Sequence, residues 1–129
     1  MREGYLYISS NVFPTLLAIS EQEQQRGLME VSWPPPVMSF VYPVPRVNRF
    51  WMKNTPSPLD IVFANRGEIT QICMGEPYST AAIGDFKDSD LVIEFPLGTV
   101  LSSDIKIGNK VGIISPTKDE LKKILAYRL

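Results

Sequence analysis

Apolar and polar positions alternate along much of the chain, and each break in the alternation marks a turn or a helix. Residues 4–8 and 12–19 alternate like two strands around Ser9-Ser10-Asn11. The alternation stops at Ser20. Ser20 and Glu23 have the spacing of a capping box, so a short helix starts there, and Gly27 is placed to end it in a left-handed conformation. Leu28 and Met29 then return to the core. Trp33-Pro34-Pro35-Pro36 must be extended. Residues 37–42 and 47–53 predict two strands divided by a stiff turn at Pro43-Val44-Pro45. Residues 59–64 and 68–74 read as a hairpin around Asn65-Arg66-Gly67, with Phe63 facing Ile69 and Ile61 facing Gln71. Residues 75–90 carry no period and read as a solvated loop. A strand over 91–95 follows, then a short helix from Pro96 to about Ser102 and a last strand over 111–115. Thr117 and Glu120 form a second capping box, opening a terminal helix whose Leu121, Ile124 and Leu125 make one apolar stripe.

The stretch 50–63, Phe-Trp-Met-Lys-Asn-Thr-Pro-Ser-Pro-Leu-Asp-Ile-Val-Phe, organises this pattern. Strand alternation puts Trp51 and Lys53 on one face and Phe50, Met52 and Asn54 on the other. Pro56 and Pro58 stiffen the bend by fixing φ and extending the residues before them. Leu59, Ile61 and Phe63 read as the core face of the next strand, with Asp60 at its entrance. So many short segments predict a mainly β fold: a compact antiparallel β-barrel-like domain of six to nine strands with two or three short helices, one of them C-terminal. Closing a barrel removes exposed strand edges.

The chain resembles the DUF192 family of small prokaryotic domains. The resemblance lies in Arg26-Gly27-Leu28-Met29, Phe50-Trp51-Met52-Lys53-Asn54-Thr55 and Pro58-Leu59-Asp60-Ile61. Gly67-Glu68-Ile69, Leu91-Val92-Ile93-Glu94, Gly98 and Ile105-Lys106-Ile107-Gly108 extend it. It implies a compact, mostly β domain and carries no biochemical activity with it.

Composition narrows the picture further. A length of 129 residues accommodates one domain, here residues 1–129. Thirteen basic against fourteen acidic residues leave no basic field for nucleic acid. Histidine is absent, which removes the commonest general base and metal ligand, and Cys73 is the one cysteine. No metal or other cofactor is expected. The N-terminus does not look like a signal peptide and no apolar run is long enough to span a bilayer, so the expectation is a soluble, cytoplasmic protein without membrane association. Oligomeric state is not legible.

No phosphate loop, serine elbow, zinc spacing or Rossmann fingerprint is present. One constellation can carry chemistry: Arg26, Trp51, Lys53, Asn54, Asp60 and Glu94, brought together from separate strands. Lys53 can bind an anion, Asn54 can donate to a carbonyl or phosphate, and Trp51 can stack a ring. The plainer reading pairs Lys53 with Asp60, lets Asn54 cap the bend and puts Trp51 in the core. Two functions follow. The first is a non-catalytic binding or accessory module recognising a small polar ligand or a protein partner near the bend 51–60. The second is a small hydrolase or transferase using Lys53 with Asp60 or Glu94.

Overall fold

A computed structural model describes residues 2–114. The chain forms β1 (Arg2–Ile8), β2 (Asn11–Ala18), α1 (Glu21–Arg26), β3 (Met38–Val47), β4 (Leu59–Asn65), β5 (Glu68–Gly75), β6 (Asp88–Pro96), α2 (Thr99–Ser102) and β7 (Val111–Ile114). The seven strands make one sheet in the order β5-β4-β6-β3-β2-β1-β7. Its pairs are antiparallel except β2 with β3, where Leu16 lies opposite Met38 in a parallel ladder. The sheet curls into a half-barrel. Its two edge strands approach at one end, where Glu68 bridges Lys110 and the Val111 amide donates to the Gly67 carbonyl at 3.0 Å.

Both faces of the sheet are apolar, because each is covered. The concave face collects Leu6, Ile8, Val62, Ala64, Leu91, Ile93 and Phe95, and the stretch after β6 closes over it with Ile105. The convex face collects Met38, Phe40, Tyr42, Leu59, Ile61, Phe63 and Val92, and is roofed by Leu28 and Met52 from the intervening loops. Central strands buried on both sides read as continuous apolar runs. That is why residues 61–64 are all hydrophobic, and why Val62 and Ala64 are as buried as Ile61.

The short helix at Ser20 forms with both arms of its capping box, Ser20 accepting from the Glu23 amide and Glu23 from the Ser20 amide. The amides of Ser20 and Ile19, both donating to Glu23 Oε1, hold its carboxyl below the usual carboxylate range. Gly27 takes φ 51° and ψ −130°, closed to residues with a β-carbon. The first hairpin turns on Ser9-Ser10, with Ile8 opposite Asn11.

Five local expectations change. Residues 38–47 are one strand, not two segments around a turn. The ladder to β6 jumps from Val41–Leu91 to Arg46–Ser89, so Pro43 and Pro45 fall in a bulge where no ladder amide is needed. The β4–β5 loop has two residues, Arg66 (φ 50°) and Gly67 (φ 80°), and a register shift beyond it places Phe63 opposite Gln71 and Ile61 opposite Cys73. Pro96 ends a strand rather than opening a helix; α2 starts at Thr99. Residues 48–53 form no strand beyond the single bridge of Phe50 to Ile83. The segment 76–87 is less a free loop than a strap: the amides of Met52 and Ile83 donate to the carbonyls of Ser79 and Phe50, and the Tyr78 amide to that of Thr55. The expected helix from Thr117 lies outside the described residues. Among the described residues, no helix is long and apolar enough to cross a membrane.

Candidate functional site

The ladder β4–β6–β3 places Ile61, Glu94 and Met38 side by side on the convex face. Glu94 therefore points away from the barrel interior, into a cleft of about 1310 Å³ under α1 and the segment 46–55. Phe40, Tyr42 and Gly27 line the cleft beside it, and Arg26, Arg46, Arg49 and Trp51 also line it. Gly27 keeps its backbone close over the acid. A β-carbon there would stand 3.3 Å from the Phe40 ring and 3.6 Å from Glu94 Oε1.

Glu94 is only 4% exposed, yet among the described residues its carboxyl has no hydrogen-bond or ion-pair partner. Burial pushes it up to about 8, so it holds its proton at neutral pH. The Tyr42 hydroxyl, near enough to sense Glu94, likewise has no hydrogen-bond partner among the described residues; burial pushes the phenol up to about 12, with Arg46 opposing and Glu94 adding to the rise. Arg46 lies over the Tyr42 ring at 4.9 Å, and its Nε donates to Asn48 Oδ1 at 2.8 Å. Arg49 lies over Phe86 at 4.6 Å, and its Nε donates to the Gly84 carbonyl. In both arginines one nitrogen fixes the side chain and leaves the terminal fork unused.

Of the six residues singled out in the sequence, three line this cleft: Arg26, Trp51 and Glu94. Arg26 makes only a loose surface contact with Glu30, at 3.9 Å. Trp51 is 48% exposed, so it does not fill the core. Lys53 Nζ stands 5.1 Å from the centre of the Trp51 ring, although no strand runs through the pair. Lys53 and Asn54 are exposed and do not line the cleft. Asn54 has φ 55°, a left-handed position that asparagine tolerates well, and its carbonyl accepts from the Glu30 amide at 2.7 Å.

Asp60 goes elsewhere. It alternates with Ile61 onto the concave face, where it lies opposite Phe95. Its Oδ2 accepts from the amides of Gly98 and Val100, each at 3.0 Å. Gly98, at the N-cap of α2, has no side chain to do this itself. Lys53 therefore has no ion pair with Asp60 or Glu94 among the described residues, and the three groups do not assemble.

Tyr42, Arg46 and Arg49 were not singled out in the sequence. Tyr42 follows from alternation with Met38 and Phe40. The arginines follow only once the bulge at Pro43–Pro45 is known.

Comparison with known proteins places this architecture. No curated protein matches the chain. Among solved structures, one from Sinorhizobium meliloti 1021, described as a "putative transcription regulator", superposes with a TM-score of 0.79 at 27% identity, over 86% of this chain and 93% of its own. A protein of unknown function from Novosphingobium aromaticivorans DSM 12444 superposes with a TM-score of 0.78 at 28% identity, over 84% of this chain and 83% of its own. Residues 7–113 match DUF192, described as "uncharacterized ACR", and the chain belongs to that family.

Proposed function

We propose that this DUF192 domain is a non-catalytic binding module, and that a small polar ligand enters the cleft beside Trp51. The observation that carries the reading is Glu94. A carboxyl almost wholly withdrawn from water, with no polar partner among the described residues, keeps hydrogen-bonding capacity for whatever enters the cleft it opens into. The cleft is large enough for a metabolite, and Tyr42, whose hydroxyl is also without a hydrogen-bond partner among the described residues, lines it too.

The concave shape favours a small molecule over a protein partner, which would need a broad surface. A hydrolase or transferase built on Lys53 with Asp60 or Glu94 has no comparable support, since Lys53 lies outside the cleft and Asp60 is engaged by α2. The description of the Sinorhizobium protein as a regulator fits a ligand-sensing role of this kind.

A fragment library spanning neutral, anionic and cationic compounds, screened by amide chemical-shift changes, tests the reading. Shifts concentrated at Gly27, Trp51, Thr55 and Glu94, and weakened in Trp51→Ala, are expected. Hits that all map to other surfaces, or a library that leaves these amides unmoved, would refute it.

A further inference from the structure

We propose that the ligand is a small hydroxylated organic anion: its carboxylate or phosphate ester meets the rim arginines while an uncharged oxygen of the same molecule accepts a hydrogen bond from Glu94. This rests on the binding reading above and adds the chemical class. Two independent features carry it.

The first is the rim. Arg26 ends α1, Arg46 lies near the end of β3 and Arg49 follows it, so three arginines from separate positions line one cleft, and the partners of Arg46, Tyr42 and Asn48, line it too. Against them the lining holds the acids Glu21 and Glu94 alone. Arg46 and Arg49 have no ion pair among the described residues. Each is held through Nε, by Asn48 and by the Gly84 carbonyl, so the fork that recognises carboxylate or phosphate in two-pronged fashion stays open.

The second is the floor. An uncharged carboxylic acid donates one hydrogen bond and accepts others, which suits a ligand hydroxyl or carbonyl oxygen. Because Glu94 keeps its proton at neutral pH, an anion held at the rim meets no opposing charge below it. The charged or titratable groups lining the cleft are Glu21 and Arg26 from α1, Tyr42 and Arg46 from β3, Arg49 from the following segment and Glu94 from β6. The Tyr42 phenol, pushed up to about 12, stays protonated through the range in question. The half-exposed Trp51 ring and the amides of Gln22 and Gln25 add the mixed apolar and neutral polar lining that a hydroxylated carbon chain uses.

Calorimetric titration of the full chain with D-gluconate, glucose 6-phosphate, glucose and choline tests the class at millimolar probe concentrations. At least one of the two anions should bind about tenfold or more tightly than glucose and choline, and which one binds separates carboxylate from phosphate recognition. Its affinity should fall about tenfold between pH 7 and pH 9 as Glu94 loses its proton. Glu94→Gln keeps a neutral donor and should bind with that pH dependence abolished, whereas Arg46→Gln should weaken the anion at both pH values. Tighter binding of glucose or choline, affinity that rises with pH, or an alkaline loss that persists in Glu94→Gln overturns the proposal. Silence of all four probes overturns it too, while library hits in the same cleft would leave the binding reading standing.

Discussion

Asp60 and Glu94 stand on adjacent strands of one sheet, both almost fully buried, and the protein treats them in opposite ways. Asp60 points to the concave face, where the polypeptide itself closes over it, and two backbone amides at 3.0 Å occupy one of its oxygens. Glu94 points to the convex face, where the cover is a helix and loops enclosing a cleft, and nothing in the described chain reaches its carboxyl. The concave face is finished by folding. On the convex face one almost fully buried acid is left without a partner among the described residues. A buried acid becomes informative through the partners it lacks.

The strongest way to sharpen the contrast is to remove the ionisation of Glu94. The native state keeps the proton up to about 8, whereas the unfolded chain releases it near the ordinary 4.5, so between those values the native state binds more protons and stability falls as pH rises. Glu94→Gln lacks this loss. Urea melts should show it close to the parent at pH 4, more stable by about 3 kcal/mol at pH 7, and level in its advantage above pH 8. An advantage that does not grow with pH would mean the acid is solvated in the native state.

Asp60→Ala should act in the opposite sense, destabilising by about 2 kcal/mol because it strands two amides that α2 does not pair by itself. Denaturant midpoints measure this. A neutral result would show that water substitutes for the carboxylate and would erase the contrast between the faces.

The smallest effect is expected at Lys53. Its side chain is exposed over Trp51, so Lys53→Ala should change stability by no more than about 0.5 kcal/mol, with an unchanged denaturant slope. A large drop would restore a structural pairing that the geometry does not contain.

Local patterns were legible and long-range ones were not. The capping box at Ser20 and Glu23 and the turn at Ser9-Ser10 each depend on residues a few positions apart, and sequence carries that information directly. Asp60 was misplaced for an instructive reason. Alternation with Leu59, Ile61 and Phe63 puts it on the other face of β4, but only the double burial of the strand shows that this face is also interior. The bulge that carries β3 through Pro43 and Pro45, and the shift that moved Phe63 from Ile69 to Gln71, have no short-range signature. The cleft itself needs α1, β3, β6 and the segment 46–55 at once. Arg26, Trp51 and Glu94 could be nominated by residue type, but their common enclosure is a product of topology.

The parallel pairing of β2 with β3 carries one more consequence, for motion. Parallel neighbours cannot be joined by a tight turn, so residues 19–37 must pass across a face of the sheet, and α1 within them roofs the cleft. That helix buries no residue of its own. Gln24 Nε2 ties it down through the carbonyls of Ala18 and Val41, while Leu28 anchors the chain beyond. An element held by so few contacts opens at a much smaller free energy than the doubly covered strands β4 and β6. Amides of α1, such as those of Gln24 and Gly27, should therefore exchange with solvent through local opening that leaves the sheet intact, and a ligand bridging Glu94 to Arg26 would slow that exchange by joining the roof to the floor.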